Sequence, residues 1–522
     1  MNTTMKRVTT ALGAIALGAI VTLAGAVPAN AVDITNSTPV SLTIHKHEKT
    51  ATNGTTTGTG KEANASVAGA GIDGVSFSVQ RVGSIDLTTD AGWKAAATIR
   101  AKVAAGESAT QAVSGYTLGT AITGTTATVN GEKGYLKFDQ SNGLTKSMYL
   151  VTEVSAPSNV TTKADPFLVT LPQADTASDN WIYDVHVYPK NGVSSLTKTV
   201  VAPTAAETAA GRDLVRWNIN TTVPYLPTTS QATAMTSFVV SDTIDPANLA
   251  FVTTPPAGVA ASTATLVNAA GTSVALTVGA ANTNDVTIAA SGATQLKATF
   301  NASGLTKLQA NQGGTVTFSV LTRVINVPAN GQIANTAGTS INGVTNGAFD
   351  GVQTGPVISA TTPFANLTIF SYAKGTSTTP LGGAVYVLQD ASGNPVIVNG
   401  SAVTGTADPA TGQVTFKNVP AGDYKVAVTT SVPGYTVDGA SERSVTVVAG
   451  TQVIPSDPKA AGNNYVPVPF TQVPAWALPL TGGDGGLWFG IGGAALIAMA
   501  IGAAVIIGGR RRPAAVVATV EA

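Results

Sequence analysis

A lysine, a carboxylate and an asparagine recur on otherwise apolar strand faces in this chain. In Ser41-Leu42-Thr43-Ile44-His45-Lys46-His47-Glu48, strand alternation puts Leu42, Ile44 and Lys46 on one side. In Tyr149-Leu150-Val151-Thr152-Glu153 it sets Glu153 with Tyr149 and Val151, and in Trp181–Asn191 it sets Asn191 with Val185 and Val187. The same grouping returns as Leu196, Lys198 and Val200, then Phe238, Val240, Asp242 and Ile244, then Ile333 and Asn335. Burying an ammonium is costly unless it is paired or neutral. A low-dielectric core that keeps an amine neutral makes it a nucleophile, and one that keeps a carboxyl protonated makes it an acid. Taken alone, the placements also fit polar groups held by local hydrogen bonds, or a lysine reaching out at a strand end.

The elements that would position these residues are strands. Thr, Val, Ala and Gly dominate, and short alternating runs lie between Gly, Asn, Pro and Ser clusters, which reads as all-β sandwiches. The chain has 522 residues, no cysteine, three histidines and no net charge. Nothing in that balance suggests a nucleic-acid partner. Lys6 and Arg7, an apolar stretch from Ala11 to Val27, and Ala29-Asn30-Ala31 form a secretory signal peptide, residues 1–31, with the mature chain starting at Val32. A secreted protein without disulfides needs large cores or other cross-links. At the other end an uncharged apolar run, Leu487–Gly509, is long enough for a transmembrane helix, and Arg510-Arg511-Arg512 would stay cytoplasmic. Between the two signals there is room for about three domains.

Leu478-Pro479-Leu480-Thr481-Gly482 stands immediately before that run. The order resembles the LPXTG cell-wall sorting signal (478–522) of Gram-positive surface proteins. The resemblance implies cleavage by sortase between Thr481 and Gly482, with the Thr481 carboxyl passed through a thioester to an amine. Trp181-Ile182-Tyr183-Asp184-Val185-His186-Val187-Tyr188-Pro189-Lys190 fills every fixed position of WxxxVxVYPK, the pilin motif of sortase-assembled backbone pilins. By that resemblance Lys190 is the amine that receives Thr481 of the next subunit. Alternation turns His186, Tyr188 and Lys190 outward, within reach of an enzyme.

Further resemblance to pilins and collagen adhesins assigns the buried polar residues. Tyr149–Pro157 resembles the E-box, with Val154 where Thr is usual. The resemblance implies a Lys46–Asn191 amide with Glu153 as the promoting acid, in an N-terminal pilin domain, 32–192. It implies a Lys198–Asn335 amide with Asp242 as the acid in an A-type middle domain, 193–360. The expected architecture is tandem immunoglobulin-like sandwiches of the collagen-adhesin A and B types. A third, B-type domain, 361–477, opens with Leu367-Thr368-Ile369-Phe370-Ser371 and carries a PLxGA-like turn at Pro380–Ala384. Ser371 stands where Lys46 stood, Val428 or Thr429 where Glu153 stood, and Tyr465–Phe470 holds no asparagine, so this domain is expected to lack a cross-link. The stretch Pro467–Pro479 reads as extended and exposed.

The expectation is a shaft subunit of a covalently polymerised surface pilus used in adhesion, anchored to the wall. Its partners would be pilin-polymerising and housekeeping sortases, copies of itself, minor pilins, peptidoglycan and a host surface ligand. It would be a substrate of sortase and no enzyme beyond single-turnover bond formation, with no cofactor. His45 and His47 form an H-x-H on the outward face of the strand, and no metal site is expected there. The competing class is a monomeric wall-anchored adhesin. A hydrolase lacks any nucleophile–base constellation.

Overall fold

Beta-branched residues and Gly/Asn turns fold this chain into strands, 49% of the described residues against 9% helix. The structure is a computed structural model that describes residue 34 and residues 37–474, apart from 53–57, 64–66, 176, 179, 228–233, 280–282, 376–378, 399–400 and 451. The signal peptide, the sorting motif with Thr481, and the apolar run Leu487–Gly509 lie outside the described residues. No helix among the described residues is long and apolar enough to cross a membrane.

In the first domain the opening strand Ser41–His45 pairs in parallel with the closing strand Asp184–Val187 and antiparallel with Glu132–Phe138. The facing sheet runs Ile122–Thr125, Ser76–Arg81, Ser147–Ser155, Phe167–Leu171. Leu42, Ile44, Phe77, Tyr149, Val151 and Val185 fill the space between. A helix that strand patterning did not anticipate, Asp90–Ala104, is capped by Thr89, whose hydroxyl accepts from Gly92 N–H at 3.1 Å. Its Ala96 and Ile99 cover Met148 and Leu150, so strand Ser147–Ser155 is buried on both faces.

The middle domain places Leu196–Val201, Leu214–Thr222 and Thr315–Val324 in one sheet and Gln295–Phe300, Phe238–Ile244 and Gln332–Ile341 in the other. Phe238, Val240, Asp242, Ile244, Ile333 and Asn335 are all buried, as alternation required. Val200 is not. It is 38% exposed, because the strand runs past the core after Lys198.

Strand Ile358–Ala373 is sixteen residues long and belongs to two domains. Its first part pairs with Gln332–Ile341, and its second with Gln413–Pro420 and Tyr465–Gln472. Arg212 meets Asp390 at 3.2 Å and Asn418 Nδ2 donates to Val324 O at 3.1 Å across the same junction.

The expectation that Pro467 begins an exposed tail is corrected. Residues Tyr465–Gln472 form a strand, with Val468 and Phe470 in the core. Thr368 N–H donates to Asn464 O and Lys374 N–H to Phe470 O, so the even-numbered residues bond to the opening strand. Pro467 and Pro469 therefore turn their N–H-less nitrogens away from that ladder, where a strand tolerates proline.

Candidate functional site

Lys46, Glu153 and Asn191 come from the opening, E-box and closing strands and meet in the first core. Lys46 Nζ donates to Asn191 Oδ1 at 2.5 Å and lies 2.9 Å from Glu153 Oε2. Asn191 Nδ2 donates to Glu153 Oε1 at 2.6 Å. Lys46 and Asn191 are fully buried, and the ammonium lies 5.7 Å from the Phe77 ring centroid. Burial brings the Lys46 amine down to about 8, against the opposing pull of Glu153. The carboxyl thus bridges the nitrogen that would attack and the nitrogen that would leave.

The middle domain repeats the trio on different strands. Lys198 Nζ donates to Asp242 Oδ2 and, at 3.0 Å, to Thr336 O. Asn335 Nδ2 donates to the same Asp242 Oδ2 at 3.1 Å. The three are buried, with Trp217 closing the floor 5.5 Å from the amine. Burial lowers Lys198 and raises Asp242, which favours neutral amine beside neutral acid over an ion pair. Asp242 Oδ1 and Asn335 Oδ1 have no hydrogen-bond partner, an arrangement that is costly unless chemistry uses it.

In the third domain the corresponding positions hold no reactive set. In the first domain Lys46 stands opposite Pro189, and Asn191 lies two residues on. The same counting from Ser371, opposite Val468, reaches Phe470. Glu153 pairs with Phe77, and Val428 pairs with Tyr386. The trio is therefore Ser371, Val428 and Phe470. Ser371 Oγ and Tyr386 OH lie 2.6 Å apart in place of the amine and carboxylate. Asn464 is buried but spends its amide on Val448 N–H and Val448 O, both at 2.9 Å. Lys374 pairs with Asp438 at the surface.

Lys190 follows Pro189 and is only partly exposed, which qualifies its expected outward position. Its Nζ donates to Ala68 O. Burial, and then the charge of Lys49, brings the Lys190 amine down to about 8. The outward face of this strand pair is itself covered, and His45, on that face, is enclosed by residues distant in sequence. His45 is 3% exposed. Its Nδ1 contacts Glu132, its Nε2 lies 2.8 Å from His186 Nδ1, and its ring stacks on Tyr188 at 4.7 Å. Those partners are distant in sequence and only the strand pairing brings them together. Among the described residues no group of three or more His, Cys, Asp or Glu is placed to hold a metal ion.

Two family descriptions match. "Gram-positive pilin subunit D1, N-terminal domain" covers residues 37–192, and "Prealbumin-like fold domain" covers 370–456. The fimbrial subunit type 2 of Actinomyces naeslundii is 27% identical over 98% of both chains. The fimbrial subunit type 1 of Actinomyces viscosus is 28% identical over 95% of this chain and 96% of its own. The fold is similar to that of the full-length major pilin SpaD of Corynebacterium diphtheriae, with a TM-score of 0.60 at 20% identity, covering 84% of this chain and 98% of that one. Major pilin SpaA of the same organism gives a TM-score of 0.53 at 21% identity, covering 83% and 100%.

Proposed function

We propose that this chain, a Gram-positive pilin subunit by its first domain and its full-length fimbrial relatives, builds the shaft of a covalent surface pilus through Lys190 and Thr481. Thr481 of one copy would be the acyl donor and Lys190 of the next the acceptor, with a pilin-polymerising sortase holding the thioester between them. Donor and acceptor are two different groups on each chain, so the linkage is heterologous and grows an open fibre. The final subunit would pass to peptidoglycan through the same signal, after the apolar run has held the chain in the membrane. Minor pilins and a host surface ligand complete the expected partners.

The observation that carries this reading is the placement of Lys190, fixed in strand Lys190–Val193 and still partly exposed, while Lys46 and Lys198 are buried. An amine brought to about 8 is neutral in roughly a tenth of molecules at pH 7, against roughly 0.03% for an ordinary lysine. That is about a 300-fold gain in nucleophile at a residue held in a fixed strand. The Lys46–Asn191 and Lys198–Asn335 pairs are read as spontaneous amides, promoted by Glu153 and Asp242, each releasing one ammonia. Their support is the contact of amine, acid and amide in buried cores. The subunit is a structural protein, and its own chemistry is limited to one turnover per bond.

The test is a gel of boiled, detergent-extracted cell walls. A high-mass ladder in the wild type that collapses in Lys190→Ala supports the polymer. One wall-linked band in both would refute it and leave a monomeric adhesin.

A further inference from the structure

The first-domain site contains a fourth group that the sequence motif does not include. Strand Val160–Thr162 pairs antiparallel with Lys190–Val193, ending at Thr162 opposite Gly192. The chain then leaves the ladder through Lys163, Ala164 and Asp165, and Pro166 holds the residue before it extended. The Ala164 N–H consequently has no strand partner and turns inward. It donates to Asn191 Oδ1 at 2.7 Å and lies 3.4 Å from Glu153 Oε2.

We propose that the backbone N–H of Ala164 is an oxyanion donor that catalyses formation of the Lys46–Asn191 amide. This rests on the reading of that pair as a cross-link. The neutral Lys46 amine attacks Asn191 Cγ, forming the Nζ–Cγ bond and moving the carbonyl electron pair onto Oδ1. The Ala164 N–H is already at the distance that stabilises such an oxyanion. Glu153 takes the proton released by Nζ and passes that same proton on to Nδ2. The Cγ–Nδ2 bond breaks, ammonia leaves, and the carbonyl reforms with Ala164 still bonded to it.

The middle domain is built differently. Asn335 Oδ1 is buried with no donor, and Asp242 contacts the amide only at Nδ2, so no main-chain or side-chain group polarises that carbonyl. The two reactions should therefore respond differently to loss of a main-chain donor. A fixed amide dipole in a dry site costs no reorganisation during reaction, and deleting one such donor lowers rates by about 100-fold to 1000-fold in known acyl transfers.

The experiment uses residues 32–477 made by cell-free synthesis, with Ala164 replaced by its α-hydroxy analogue so that an ester oxygen stands where the N–H was. Cross-linked peptides containing Lys46–Asn191 and Lys198–Asn335 are counted by mass spectrometry over time after synthesis. The expected result is a roughly 100-fold slower first-domain amide, with the middle-domain amide unchanged. Ala164→Pro, which also removes the N–H, should behave likewise, and Ala164→Gly, which keeps it, should match the wild type. Far-UV circular dichroism and thermal unfolding identify any variant that has lost the fold. A folded ester variant that cross-links at the wild-type rate overturns the proposal. A wild-type chain lacking the first-domain amide instead overturns the underlying reading, and this proposal with it.

Discussion

Pulling on one subunit between Lys190 and the position after Thr481 reproduces the load it would carry in the fibre. Because the chain contains no cysteine, Lys190→Cys and a cysteine added after Thr481 supply unique handles for single-molecule force spectroscopy. The first domain before Lys190 is then outside the load path. In the middle domain the proposed Lys198–Asn335 bond would carry force from one strand to the other, and the chain between them would stay shielded. Only the third domain lies in the path without a bridge, since Ser371, Val428 and Phe470 occupy the bonding positions. Its parallel strands Thr368–Ala373 and Tyr465–Phe470 are loaded at opposite ends, in shear, so their ladder bonds must fail together. Unfolding Phe364–Gln472 releases about 109 residues, or about 370 Å at about 3.4 Å each, less a folded span of about 30 Å. One event of roughly 340 Å per subunit is therefore expected. A second event of roughly 500 Å or more would mean that the middle domain is unbridged. No event before the handles break would refute the claim that the third domain has no cross-link.

Further outcomes follow from the same contacts. Measured against each variant's own sequence mass, Asp242→Ala should retain one ammonia that the wild type loses, and Glu153→Ala another, since each removes the acid that touches both reacting nitrogens. Acylation of Lys190, followed by peptide mass spectrometry, should rise with pH through a midpoint near 8 and level off about one unit above it, because the reactive form is the neutral amine. Lys49→Gln removes a repelling charge, raises that midpoint and slows acylation at pH 7. Phe470→Ala should cost the third domain about 3–5 kcal/mol, read by denaturant unfolding, because the ring is fully buried. Combining Ser371→Lys, Tyr386→Phe, Val428→Glu and Phe470→Asn should rebuild the missing trio, remove one more ammonia and abolish the extension event.

Strand alternation placed Lys46, Glu153, Lys198, Asp242 and Asn335 on core faces before any coordinates, since a strand has only two faces and the neighbours on one of them were apolar. The same rule failed where a face was covered by something distant. Helix Asp90–Ala104 buries the second side of strand Ser147–Ser155, and Glu132 with Tyr188 buries His45. Period-two patterning contains no information about what packs outside a sheet. Proline at 467 and 469 suggested a tail, yet alternate prolines fit a strand whose bonds to the opening strand run through the even-numbered residues.

The sequence by itself determined the residue types, their faces and the motifs at each end, because these depend on local period and composition. The tertiary structure alone decided which lysine meets which asparagine, because 145 residues separate Lys46 from Asn191 and only parallel pairing of first and last strands brings them together. It also decided that Phe470 replaces the third-domain asparagine, that Lys190 is half-covered, and that the Ala164 N–H reaches Asn191 Oδ1. A backbone donor carries no side-chain signature, so its direction exists only once the chain is folded.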